Sequence, residues 1–322
     1  MELELWDDDM EAAREQLMIE AEEFVSRIPD GDPGVGTPAE RAASMRKTEA
    51  AMVVRSDKAV DREVEGASGP IRIREFRPER AAGVMLHIHG GGWATGEPAL
   101  TDMLHEALCD HLDLAVVSVY YRLAPEDPFP AGPDDCEAAA LWLVENTVNE
   151  YGTDRLLIGG ESAGAHLSAL TLLRLRDRHG RAGMFRGANL VFGAYDFSRT
   201  PSARGIGRSN AGDLLHADRI VNMVDWFTPG WSEEQRRSPD LSPLYADLQG
   251  MPPALFTVGT ADHLVDDTLF FSERWLLAGN QAELLVYPEA PHGCIGLPTV
   301  LNHWWPRLEG FLARCLSETS AA

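Results

Sequence analysis

The chain has 322 residues, of which 44% are hydrophobic, enough apolar side chain to bury the core of one large domain carrying an insertion. With 28 basic against 51 acidic residues the formal charge is -23, a surface that repels phosphate backbones and anionic lipid and argues against nucleic-acid and membrane partners. The four cysteines are widely spaced with no C-x-x-C pair, which speaks against zinc or thiol redox chemistry, and no apolar run is long enough to insert in a membrane. The N-terminus lacks a basic region followed by an apolar run, so a cytoplasmic protein with free thiols is the expectation.

In chain order, Met10, Ala13, Leu17, Ala21 and Phe24 fall on one face of a helix expected over residues 8–28, ended by a Pro/Gly/Asp turn. A second helix is expected over 38–50. Strands are then expected at 71–76, 84–88, 115–119, 156–158, 188–192, 254–258 and 283–287. Helices are expected between or after them near 99–112, 134–149, 163–178, 267–279 and 299–317. Such alternation predicts a mostly parallel central sheet with helices on both faces. Residues 198–250 hold no clear strand, and their length suits a cap better than a structureless loop. The expected division is therefore N-terminal cap helices over 1–50, a core over 51–197 and 251–322, and a cap insertion over 198–250. The cap pieces are expected to lie side by side over the C-terminal ends of the strands.

Chemistry concentrates in three places. Gly160-Glu161-Ser162-Ala163-Gly164 lies between an apolar strand and a helix. A G-x-S-x-G turn of this kind lifts a serine hydroxyl clear of the sheet, and the flanking glycines admit the close backbone approach it needs. A serine nucleophile needs a base, and the base an orienting acid. Of the ten histidines only His292 follows a late strand on a loop; His87 is in a strand, His166 and His179 are on the helix after the turn, and His303 is in the last helix. Asp262 is the first carboxylate past the preceding strand, ahead of Asp266 and Asp267 at a helix start, with Asp196 a weaker alternative. His89-Gly90-Gly91-Gly92-Trp93 follows another strand, and consecutive glycines there let backbone N–H groups face a developing oxyanion, joined by the Ala163 N–H. Neither G-x-G-x-x-G nor G-x-x-x-x-G-K-[ST] occurs there, which disfavours a nucleotide-phosphate loop.

Taken with Tyr121-Arg122-Leu123-Ala124-Pro125-Glu126, Phe129-Pro130-Ala131 and Pro291-His292-Gly293, these motifs resemble the hormone-sensitive-lipase-like (bacterial family IV) esterases of the α/β-hydrolase superfamily. The resemblance spans roughly residues 70–310 and implies an α/β-hydrolase fold with a helical cap. It implies a serine carboxylesterase acting on short- to medium-chain acyl esters through Ser162, His292 and Asp262, with Gly91, Gly92 and Ala163 forming the oxyanion hole. It gives the Tyr121–Pro125 segment a bracing role. Neither metal nor cofactor is needed, and a homodimer is family habit. One departure is Glu161, where the family more commonly has Asp or Thr. Trp93, Met223, Trp226, Phe227 and Trp231 are candidates to line an apolar substrate pocket, with plain core packing as the alternative for each. The same triad would serve an amide, lactone or carbonate. A non-catalytic receptor on this fold, as in the plant gibberellin receptors, is disfavoured by the presence of His292.

Overall fold

The computed structural model describes residues 5–29, 31–66, 69–181, 183–207 and 215–317. Among the described residues, eight strands form one sheet: β1 (Val60–Gly66), β2 (Gly69–Phe76), β3 (Gly83–Ile88), β4 (Leu114–Val119), β5 (Leu156–Glu161), β6 (Phe185–Val191), β7 (Ala254–Gly259) and β8 (Ala282–Tyr287). Their order across the sheet is β1-β2-β4-β3-β5-β6-β7-β8. β1 and β2 pair antiparallel, β2 joins β4 antiparallel, and every pairing from β4 to β8 is parallel. The central strands β3, β4, β5 and β7 are buried along their whole length, as strands covered on both faces must be. This is an α/β-hydrolase fold.

The helices are α1 (Asp8–Ala12), α2 (Arg14–Arg27), α3 (Pro38–Ala50), α4 (Asp102–Leu112), α5 (Ala131–Tyr151), α6 (Ala163–His179), α7 (Ala217–Phe227), α8 (Glu233–Arg236), α9 (Val265–Leu277) and α10 (Pro298–Ser317). The single helix expected over 8–28 is broken at Ala13, yet its apolar face is kept: Met10 and Leu17 are buried, and Phe24 packs beside them. β1 was not anticipated. It is an edge strand of mixed charges, and its pairing with β2 rather than an apolar stripe holds it. α3 opens with a full capping box, Thr37 accepting from the Glu40 N–H while the Glu40 carboxylate receives the Thr37 N–H.

Two apolar clusters lie on the two faces of the sheet, one carrying α5 and α6 and the other α4, α10 and the N-terminal α1–α2 pair. The described part of the 198–250 segment contains α7, α8 and two short 3-10 turns, with no strand among the described residues. It meets the N-terminal helices where the Arg41 guanidinium lies 5.1 Å over the Trp226 ring. At the other end α2 reaches α10, with the Thr299 N–H and hydroxyl donating to Glu20.

Candidate active site

Parallel strands deliver their loops to the same end of the sheet, and in open α/β folds that end holds the chemistry. Ile88, the last residue of β3, is in register with Gly160 of β5, so the glycine-rich loop and the serine turn leave neighbouring strands at one level. β7 and β8 end together at Gly259 and Tyr287, and lead into the loops of Asp262 and His292.

The serine turn is as tight as its composition requires. Ser162 has φ 55° and ψ -117°, a strained conformation for a residue with a side chain, and its N–H donates to the Val191 carbonyl at 2.8 Å. A β-carbon on Gly160 or on Gly164 would run into the Ile88 carbonyl, so both glycines are needed for the turn to nest against β3. Ala163 opens α6, whose N-terminal dipole favours negative charge beside Ser162.

Ser162, His292 and Asp262 form one hydrogen-bonded line. The Ser162 hydroxyl is 3.0 Å from His292 Nε2, and His292 Nδ1 is 2.8 Å from Asp262 Oδ2. Asp262 is fully buried, and its Oδ1 accepts the Leu264 N–H at 2.8 Å. The two loops are tied to each other: Ala261 N–H donates to the Ala290 carbonyl at 3.0 Å, and Glu289 N–H to the Thr260 hydroxyl at 2.9 Å. Gly259 is required there, since a β-carbon would overlap the Ala290 carbonyl. Phe192, just past β6, meets the His292 ring edge-on with centroids 4.7 Å apart and so limits its swing. Asp196 instead bonds Ser198 and the Tyr245 hydroxyl. Asp266 and Asp267 begin α9 and turn toward residues 195–202. Asp267 is pushed up to about 7 by burial.

The glycine-rich loop lies against this line. A β-carbon on Gly90 would sit 2.9 Å from the Glu161 carbonyl oxygen and 3.5 Å from Ser162 Cβ. His89 aims the next peptide: burial pushes it down to about 3, so it is neutral, and its Nδ1 lies 2.8 Å from the Gly90 carbonyl. A trans peptide carries its carbonyl and N–H in opposite directions, so holding the Gly90 oxygen aims the Gly91 N–H the other way. Tyr121 stacks on the His89 ring and its hydroxyl donates to the His89 carbonyl at 3.0 Å. Among the described residues, the Gly91, Gly92 and Ala163 N–H groups have no hydrogen-bond acceptor within the chain.

The candidate pocket residues separate. Met223 of α7 rests on Gly92, where a β-carbon would collide with its sulfur. Trp93 and Phe227 stack with centroids 5.2 Å apart in a cluster with Phe197 and His166, only 4% and 1% exposed. The Trp93 indole donates to His166 Nδ1 at 3.0 Å, and His166 Nε2 reaches the Leu241 carbonyl at 2.7 Å. Trp226 is buried beneath Arg41, and Trp231 meets Phe129. Glu161 proves to be paired: His87 Nε2 lies 3.0 Å from its Oε2, and His87 Nδ1 lies 2.9 Å from the Ser118 hydroxyl. No local pattern in the sequence marks that pair, because its partners sit on different strands. No group of three or more His, Cys, Asp or Glu side chains suited to a metal occurs among the described residues.

A family model described as an α/β hydrolase fold matches residues 85–296. The chain is 34% identical over 251 residues to the carboxylic ester hydrolase LipN of Mycobacterium tuberculosis, covering 74% of this chain and 64% of that protein, a little under two thirds of its length. It is 35% identical over 227 residues to the carboxylesterase NlhH of the same organism, covering 68% of each. Among solved structures, the hyperthermophilic esterase from the archaeon Pyrobaculum calidifontis superposes with a TM-score of 0.78 at 26% identity, over 94% of this chain and 97% of that one.

Proposed function

We propose, from the premise that this chain belongs to the hormone-sensitive-lipase-like (bacterial family IV) esterases of the α/β-hydrolase fold, that it is a serine carboxylesterase for short- to medium-chain acyl esters. The observation that carries the reading is the Ser162–His292–Asp262 hydrogen-bonded line beside a loop of unpaired glycine N–H groups.

In this mechanism the Ser162 oxygen attacks the ester carbonyl while His292 Nε2 takes its proton. Asp262 receives the His292 Nδ1–H, holds the ring in that tautomer and stabilises the imidazolium. The carbonyl oxygen becomes an oxyanion, met by the N–H groups of Gly91, Gly92 and Ala163, each worth about 3 kcal/mol of barrier. His292 returns the proton to the departing alcohol, leaving an acyl-serine. Water then gives a proton to His292 as it attacks the acyl carbon, and the adduct collapses to the free acid as His292 returns that proton to the Ser162 oxygen. Every step is a proton transfer, a nucleophilic addition or an elimination carried by Ser162, His292 and water, so none calls for a metal or cofactor.

The named relatives favour an ester over an amide or lactone bond, since LipN and NlhH carry ester-hydrolase names. Met223 against Gly92 narrows the space above the glycine loop, which supports small acyl or alcohol groups. We take α1–α3 and residues 198–250 as the cap and the rest as the catalytic core. We place the protein in the cytoplasm, a reading supported by the buried thiols of Cys109, Cys136 and Cys294; no described helix is long and apolar enough to cross a membrane. The test is hydrolysis of p-nitrophenyl acetate, butyrate, octanoate and palmitate by wild type and Ser162→Ala. Turnover that favours the shorter chains and disappears in the variant is expected. A folded wild type without turnover on any of the four overturns the reading.

A further inference from the structure

We infer that Glu49, on the N-terminal helix α3, is a positioning residue that aims the oxyanion hole. The inference rests on the esterase reading above. By the geometry of a trans peptide, the direction of the Gly92 N–H is set by whatever holds the Gly91 carbonyl. That carbonyl accepts the Ala94 N–H at 3.1 Å and the Thr95 N–H at 2.9 Å, and it lies 3.0 Å from the Thr95 hydroxyl. Thr95 is fully buried, and its hydroxyl meets Glu49 Oε1 at 2.8 Å. The other carboxylate oxygen, Oε2, accepts the Gly96 N–H at 2.9 Å. One carboxylate therefore grips the far end of the turn whose near end presents the Gly92 N–H.

The turn needs such a grip. Gly91, Gly92, Trp93 and Gly96 have φ of 113°, 57°, 60° and 90°, a run of left-handed backbone that includes a tryptophan. Such a run persists only where its surroundings over-determine it. Gly96 closes the loop on its own start, since a β-carbon there would overlap the Gly90 carbonyl and lie 2.6 Å from His89 Nδ1. Arg46, one turn before Glu49 on α3, completes the clamp. Its Nε donates to the Ala94 carbonyl at 2.8 Å and its Nη2 to the Ala124 carbonyl at 2.8 Å, while the Ala124 N–H donates to the Trp93 carbonyl at 2.9 Å. The seating of α3 and the direction of the oxyanion donors are thus one arrangement, and the N-terminal helix acts on catalysis without touching the substrate.

The experiment compares wild type, Glu49→Ala, Glu49→Gln and Thr95→Val on p-nitrophenyl butyrate. It also measures inhibition by a trifluoromethyl ketone, which adds to the serine and places an oxyanion in the hole, and by the matching methyl ketone, which does not. Glu49→Ala is expected to lower kcat roughly 10- to 100-fold with KM changed less than about twofold. Trifluoromethyl ketone affinity should fall by the same factor and methyl ketone affinity should hold. Glu49→Gln, which keeps one carbonyl acceptor, should recover most of the loss, and Thr95→Val should repeat the Glu49→Ala pattern. If Glu49→Ala does not fold, Thr95→Val decides. Unchanged kcat and trifluoromethyl ketone affinity in the folded variants overturn the inference, as does a loss shared equally by the methyl ketone. Wild-type turnover abolished in Ser162→Ala tests the esterase reading separately, so the two can fail independently.

Discussion

Replacing Gly164 by alanine puts the close packing of the serine turn to a quantitative test. A methyl group there would lie 2.7 Å from the Ile88 carbonyl carbon and 2.8 Å from the His89 carbonyl oxygen, and would overlap the Ile88 oxygen. Ordinary carbon contact is about 3.5 Å, so the shortfall is at least about 0.8 Å, and it is against backbone rather than a flexible side chain. Ile88 is held in the ladder opposite Gly160, so β3 cannot yield without disturbing the sheet. The strain must instead move the start of α6, and Ser162 with it, away from the glycine loop. Overpacking of this kind costs about 1–3 kcal/mol of stability. A displacement near 1 Å costs roughly 100-fold in rate, about 2.7 kcal/mol of barrier. The assay is kcat on p-nitrophenyl butyrate beside a thermal melt. The expected result is a rate near one hundredth of wild type with Tm lower by roughly 1.5–4.5 °C. A Gly164→Ala protein with kcat within about threefold of wild type and an unchanged melt would refute the claim that the backbone contact sets the serine's position.

Two other predictions concern buried histidines. Glu161→Gln should be mild, since an amide can donate to His87 Nε2 while the ring gives its Nδ1–H to Ser118. Glu161→Ala leaves that buried nitrogen without a partner and should cost about 1–3 kcal/mol, read from urea midpoints; equal losses in the two variants would contradict the pairing. His166 is pushed down to about 3 by burial from an unfolded value of 6.5. The unfolded chain therefore binds the extra proton between those values, so His166 removes stability as pH falls from 6.5 toward 3, by up to about 1.4 kcal/mol per pH unit. His166→Leu should be less stable at pH 7.5, having lost the Trp93 acceptor, yet show a shallower decline on acidification; an unchanged slope in urea melts across pH 7 to 4 would count against a neutral, buried His166.

What could be read from the chain alone was whatever leaves a mark on local composition. Gly160, Gly164 and the Gly90–Gly92 run stand where a β-carbon cannot fit or where φ is positive, so their backbone demands are written into residue type. The order of apolar runs exposed the parallel sheet because strands buried on both faces must be apolar throughout. β1 escaped notice because it is an edge strand of alternating charges, held by pairing and not by burial. The break at Ala13 likewise has no glycine or proline to announce it. The orientation of Trp93 follows from its positive φ, a backbone property that residue type does not reveal for a tryptophan. The Glu161–His87 pair, the Phe192–His292 contact and the Glu49 clamp join residues 46 to 100 positions apart. Such contacts depend on how strands and helices stack, and no local spacing records them.

The most direct test of Ser162 as the nucleophile is titration with diethyl p-nitrophenyl phosphate, followed by mass mapping of the labelled peptide. The expected result is release of one p-nitrophenolate per chain, a diethylphosphoryl group on Ser162, matching loss of esterase activity, and no labelling of Ser162→Ala or His292→Ala on the same timescale. Labelling at another residue with Ser162 unmodified, or full activity after Ser162 is blocked, would contradict it.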